Sequence, residues 1–145
     1  MPCVKVIFIE LEEKDDILLP VLREKSKEYA ICGMVMMPDV GKGEVDALTA
    51  QEYVLKKFQG IRPYLTTLYA FFSSPEATIY PWNIGDVTTP PKYGALAVFA
   101  SDLKNNFGQI VDFHSSIVVS DTTEFEEMAI EAGVPFMTRE EWLNA

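Results

Sequence analysis

Residues 4–9, Val4-Lys5-Val6-Ile7-Phe8-Ile9, make a short, β-branched and almost unbroken apolar run. A run with so little polar alternation suits a strand covered on both faces, which is the situation of strands in a parallel sheet flanked by helices. Comparable runs recur at 29–37, 66–72, 116–120 and 134–137, and the first extends over 4–11. Between them the spacing becomes helical. Leu96, Phe99, Ala100 and Leu103 fall at i, i+3, i+4 and i+7, and Phe125, Met128, Ala129 and Ala132 repeat the pattern. Five strands alternating with five helices predict an α/β fold. Each right-handed crossover carries its helix back over the sheet, giving three layers with the central parallel sheet in the middle.

The punctuation agrees with that alternation. A charged loop at 12–16 precedes a helix over 17–27, with Pro20 in the first turn, where a missing amide proton costs least. Pro38-Asp39-Val40-Gly41-Lys42-Gly43 is a turn after the second strand. Thr49-Ala50-Gln51-Glu52 has the capping-box spacing, and Gly60 is placed for a left-handed helix end. Residues 73–93 carry four prolines and no periodicity, so they read as a long loop. The next helix ends near Gly108; Thr123 to Glu126 is a second capping box, with Gly133 closing that helix. Thr138-Arg139-Glu140-Glu141 opens a last helix containing Trp142.

A chain of 145 residues, 48% of them hydrophobic, suffices for one core, so residues 1–145 are expected to form a single domain. Neither a membrane span nor a secretory signal is expected, since no apolar run approaches about eighteen residues. Cys3 and Cys32 fall in strand-like segments, where a thiol packs as a small apolar group. Two cysteines without CxxC spacing and a lone His114 disfavour a disulfide scaffold or thiolate zinc site, and fit a reducing, intracellular compartment such as the cytoplasm. The net charge of −10 disfavours nucleic acid and anionic lipid, because a phosphate surface repels such a chain. A basic protein partner suits it better.

In open parallel sheets the working residues follow the strands' carboxyl ends. The segment Val118-Val119-Ser120-Asp121, followed by a helical stretch ending Ala132-Gly133-Val134-Pro135, resembles the fourth motif of haloacid dehalogenase (HAD) phosphatases. Val40-Gly41-Lys42-Gly43 is similar to the Val-Gly-Arg-Gly loop of the small-cap class, which includes histidinol-phosphate phosphatases. Pro135-Phe136-Met137-Thr138-Arg139-Glu140-Glu141 is similar to the ending of polynucleotide 3′-phosphatase domains. The resemblance spreads over nearly the whole chain and implies a Rossmann-like HAD fold.

It also implies altered chemistry. The family's first strand ends in Asp-x-Asp, the nucleophile and the acid/base, and Glu10-Leu11-Glu12 stands there instead. The extra methylene displaces the attacking oxygen by roughly 1 Å, an error that costs on the order of a hundredfold. Val35-Met36-Met37 lacks the second motif's hydroxyl. Pro90 occupies the third motif's lysine position, with Lys92 offset, and the second acid of the fourth motif falls near Phe125, with Glu124 and Glu126 beside it. Phosphoryl transfer needs metal, lysine and hydroxyl donors acting together.

The candidate residues follow. Glu10 and Glu12 are the catalytic candidates, and Glu10, Glu12 and Asp121 the candidate ligands of a magnesium ion, weighed against solvated carboxylates at strand tips. No other cofactor is implied. Tyr80 and Trp82, with Ile79 and Pro81, are candidate partner-binding anchors in the long loop, weighed against a loop packed on its own domain. His114 reads as a turn or surface histidine, Gly41-Lys42-Gly43 as an ordinary turn. Lys56, Lys57 and Arg62 are too few to mark nucleic-acid binding.

The resemblance therefore implies a pseudo-phosphatase: a catalytically degenerate HAD-like domain acting as a binding, assembly or regulatory protein. The alternative is a divergent magnesium-dependent phosphohydrolase acting on a small phosphoester or a nucleic-acid 3′ end. A third reading comes from residues 117–143, which also resemble the last half of a BRCT domain, a phosphopeptide-binding module.

Overall fold

The computed structural model describes residues 3–12, 18–36, 47–71 and 93–144. Its elements run β1 (Cys3–Val4), β2 (Val6–Glu10), α1 (Leu19–Lys25), β3 (Ala30–Met36), α2 (Ala47–Lys57), β4 (Thr67–Phe71) and α3 (Gly94–Phe107). They continue with β5 (Ile110–Val111), β6 (Ile117–Val119), α4 (Thr123–Ala132), β7 (Phe136–Met137) and α5 (Arg139–Leu143).

The main sheet has five strands in the order β4-β3-β2-β6-β7, and every pairing is parallel. All five residues of β2 are buried: Val6–Ile9 as their unbroken apolarity predicts for a strand covered on both sides, and Glu10 at the strand's end with them. Alternation sends Ile7, Ile9 and Leu11 to one face, where they meet Leu18, Leu22, Val54, Phe58 and Trp142 from around α1, α2 and α5. Val6 and Phe8 go to the other face, against Leu96, Phe99, Leu103, Phe125 and Met128 of α3 and α4. Phe8 meets Phe99 edge-on, ring centroids 5.6 Å apart, and stacks against Phe113 at 6.4 Å. The expected three-layer, Rossmann-like α/β architecture is present.

The expected first strand over 4–11 is divided. Cys3–Val4 pairs with β5, a short strand that the sequence pattern did not reveal, and Val6–Glu10 pairs with β3 and β6. The chain changes partners at Lys5: its amine is 2.5 Å from Glu28 Oε1 and 4.7 Å from the Tyr29 ring centre. Cys3, expected to be buried, is exposed in the two-residue β1, whereas Cys32 in β3 is buried.

Three helix-end expectations shift as well. Thr49 lies inside α2, because the strong helix formers Ala47 and Leu48 carry the helix further toward the N-terminus. Gly60 is not left-handed; the chain keeps turning right-handed through Ile61 N to Phe58 O (3.2 Å) and Tyr64 N to Ile61 O (3.0 Å). The cap of α4 is Thr122 rather than Thr123, its hydroxyl accepting from Phe125 N at 3.4 Å. Gly108 and Gly133 do close their helices with positive φ, 64° and 72°. Thr138 and Glu141 form a complete capping box on α5. The final strand is shorter than 134–137, covering Phe136–Met137.

Candidate functional site at the sheet's switch point

The strand order reverses between β2 and β6, since β3 and β4 lie to one side of β2 while β6 and β7 lie to the other. Connections leave in opposite directions there and open a crevice beyond the carboxyl ends of the two strands, the usual ligand position in open α/β sheets. Ile9 pairs with Val119, so the next residues along, Glu10 and Ser120, emerge side by side. Alternation gives both the face of Phe8 and Val118.

Glu10 is 9% exposed, and its Oε1 accepts a hydrogen bond from the Ser120 hydroxyl at 2.6 Å. Ser120, fully buried, also receives Thr122 N–H at 3.0 Å, and its hydroxyl lies 3.1 Å from that of Thr122. A polar chain thus runs from the tip of β2, through the tip of β6, to the N-cap of α4. Burial pushes the Glu10 carboxyl above its ordinary value; Ser120 opposes that by favouring the ionised form. The carboxylates of Glu12 and Asp121 raise it further and the Arg139 guanidinium lowers it.

Arg139 ties the other strand tips together. Its Nη1 donates to the Glu10 carbonyl oxygen at 2.8 Å, and its backbone N–H donates to Asp121 Oδ1 at 3.0 Å. Its Nε stands 4.0 Å from Asp121 Oδ2, completing a loose ion pair. Asp121 thereby holds the start of α5, where a carboxylate also opposes the helix's positive end.

Of the sequence-derived candidates, Glu10 and Asp121 come to the same crevice, one buried and the other exposed, and exposed Glu12 follows directly after Leu11. Among the described residues no group of three or more His, Cys, Asp or Glu side chains is placed to hold a metal ion, and Glu10, Glu12 and Asp121 are all described. Tyr80 and Trp82 lie outside the described residues, as do the 38–43 turn, Met37, Pro90 and Lys92. His114 is exposed in a single 3-10 turn over Phe113–Ser115, as its reading predicted. The thiol of Cys32 is held well above its ordinary value by burial and, secondarily, by Asp102, which makes it a poor nucleophile.

Ser120, Thr122 and Arg139 were not among the candidates. The signal for them was present: two hydroxyl residues directly after a strand at the crevice, and an arginine opening the helix after the neighbouring strand. Among the described residues no helix is long and apolar enough to cross a membrane. The chain matches no protein-family model, and no curated protein matches its sequence.

Proposed function

We propose that the chain is a catalytically degenerate HAD-like domain that binds a protein partner instead of hydrolysing phosphoesters. The observation that carries this reading is how the crevice spends its groups. Glu10, at the nucleophile's position in that reading, is buried and bonded to Ser120, and Asp121 is engaged by Arg139. A nucleophile has to reach phosphorus in line from an accessible, ionised oxygen, whereas burial both covers the Glu10 carboxyl and favours its neutral form; a metal-assisted site has to present several oxygens to one ion. Here the carboxylates instead brace the strand tips. The strand order supports the HAD-like part of the reading, because it puts the ends of β2 and β6 side by side. The net charge of −10 favours a basic partner over nucleic acid or an anionic membrane.

The test is phosphate release from p-nitrophenyl phosphate with magnesium present, compared with the Glu10→Gln variant. The expected result is no metal-dependent release above background in either protein. Turnover at ordinary enzyme rates, about 1 s⁻¹ or faster, that disappears in Glu10→Gln would establish the divergent phosphohydrolase instead.

A further inference from the structure

We infer that the groove between α3 and α4 is a docking surface for a cationic helical segment of a partner protein. An apolar side chain of that segment sits in the groove, and a lysine or arginine beside it meets Glu131. This docking rests on the protein-binding reading above and gives it a surface and a chemistry.

Both helices pack on the Val6 and Phe8 side of the sheet, α3 through Leu96, Phe99 and Leu103 and α4 through Phe125, Met128 and Ala129. Between them a cavity of about 390 Å³ stays open. Its α3 wall is Tyr93, Leu96, Ala97 and Ala100, spaced i, i+3, i+4 and i+7, the stripe that a helix offers to another helix laid along it. Leu96 is buried, whereas Ala97 and Tyr93, the latter 51% exposed, are open to water. The two alanines keep that wall shallow, so an incoming side chain can reach Leu96 and Phe113, whose ring is stacked on Phe8.

Charge commits the occupant. Among the described residues that line the cavity, Glu131 is the single charged one, and it stands in the last turn of α4, where the helix's own partial negative charge lies. The last turns of α1, α2 and α3 each hold a lysine or arginine, but that of α4 holds none. Along its whole length α4 carries Glu124, Glu126, Glu127 and Glu131 and no basic residue, and Lys104 of α3 is outside the lining. An apolar wall edged by negative charge selects a segment that is apolar and basic together, and repels an acidic one. A second copy of this chain, itself at −10, meets the same repulsion.

The test is titration of the full chain with a synthetic amphipathic Leu/Lys helix at about 0.15 M salt, affinity read by fluorescence anisotropy and location by backbone amide shifts. The expected result is saturable binding with shifts at Ala97, Ala100 and Ala132, and an all-Lys peptide binding about tenfold more weakly for want of its apolar anchor. Ala97→Gln, which fills the groove from an exposed helix position, weakens binding about tenfold, and Glu131→Gln about two- to fivefold. Glu140→Gln removes the same charge from α5 in the opposite layer and leaves affinity unchanged. Absence of binding overturns the inference. So does equal binding of the all-Lys peptide, or an equal loss in Glu140→Gln and Glu131→Gln, since either would reduce the effect to net charge. Self-association abolished by Ala97→Gln, or contacts from Tyr80 or Trp82 to the Ala97 methyl in the free chain, would assign the groove another occupant and overturn it as well. Binding on a different face, untouched by Ala97→Gln, overturns the groove but leaves a protein-binding chain, a reading that falls instead on the phosphate-release assay.

Discussion

The carboxyl of Glu10 stands at the end of β2, the hydroxyl of Ser116, just before β6, meets its start, and the two act on stability in different ways. Because the folded state raises the Glu10 pKa, its protonated form is favoured by folding. That contribution is fully present below the ordinary glutamate value and is lost as pH rises through the higher folded value. Glutamine keeps an acceptor for Ser120 without the charge. The stability of Glu10→Gln relative to the native chain should therefore increase from acidic to neutral pH, and urea titrations across that range will show it; a difference independent of pH would contradict the assigned shift. Ser116 is a simpler case. Fully buried, it accepts Val6 N–H at 2.9 Å and donates to Asp112 O at 2.7 Å, stitching the start of β2 to the turn before β6. Alanine there orphans a buried backbone amide, and the expected loss is about 1–3 kcal/mol, read from the urea midpoint at an unchanged slope. Nothing in the spacing of Ser116 distinguished it from any strand-end serine, since its partners lie 110 and 4 residues away.

Among the elements, two glycines illustrate two separate constraints. Gly133 ends α4 with φ of 72°, and no atom lies within 4 Å of where a Cβ would sit. Gly133→Ala therefore costs only backbone strain, roughly 1–2 kcal/mol, and thermal unfolding should register it without any change in the surrounding packing. Gly33 sits in the middle of β3 with ordinary backbone, but a Cβ would come 2.9 Å from Leu11 Cδ1 and 3.0 Å from Leu68 Cδ1. Gly33→Ala is a packing problem, eased by movable leucine ends, and should cost about 1–3 kcal/mol; a larger loss than Gly133→Ala accompanied by shifted leucine methyl resonances would identify it as such. The sequence exposed the first constraint because helix ends have local grammar: Gly108, Gly133 and the Thr138–Glu141 box were all legible. It concealed the second because crowding depends on leucines brought in from two other segments. The same division explains the errors at Thr49 and Thr123. Capping spacing marks a region within a residue or two, and neighbouring propensity then decides which hydroxyl becomes the cap. Of the site, Glu10 and Asp121 were legible as strand-tip acids, whereas the Ser120 and Arg139 contacts depend on register and on where α5 begins.

At the scale of the molecule, β2 joins everything. Its alternate residues feed two cores that do not share a face, Ile7 and Ile9 with α1, α2 and α5, Val6 and Phe8 with α3 and α4. A central strand covered on both sides cannot lose one layer while keeping the other, because stripping either helix layer exposes half of a strand that has no polar face to offer water. The described parts should therefore unfold in one transition. Truncating Ile31 on the first face, or Phe99 on the second, removes a fully buried side chain and is expected to cost about 2–5 and 3–5 kcal/mol respectively. The decisive measurement is hydrogen exchange of backbone amides in α2 and α4, which lie on opposite layers. If the sheet couples them, Phe99→Ala lowers protection in α2 as much as in α4, and Ile31→Ala does the reverse with the same symmetry. Protection lost only in the layer carrying the substitution would mean that the two faces open independently, and residues 1–145 would then have to be treated as more than one cooperative unit.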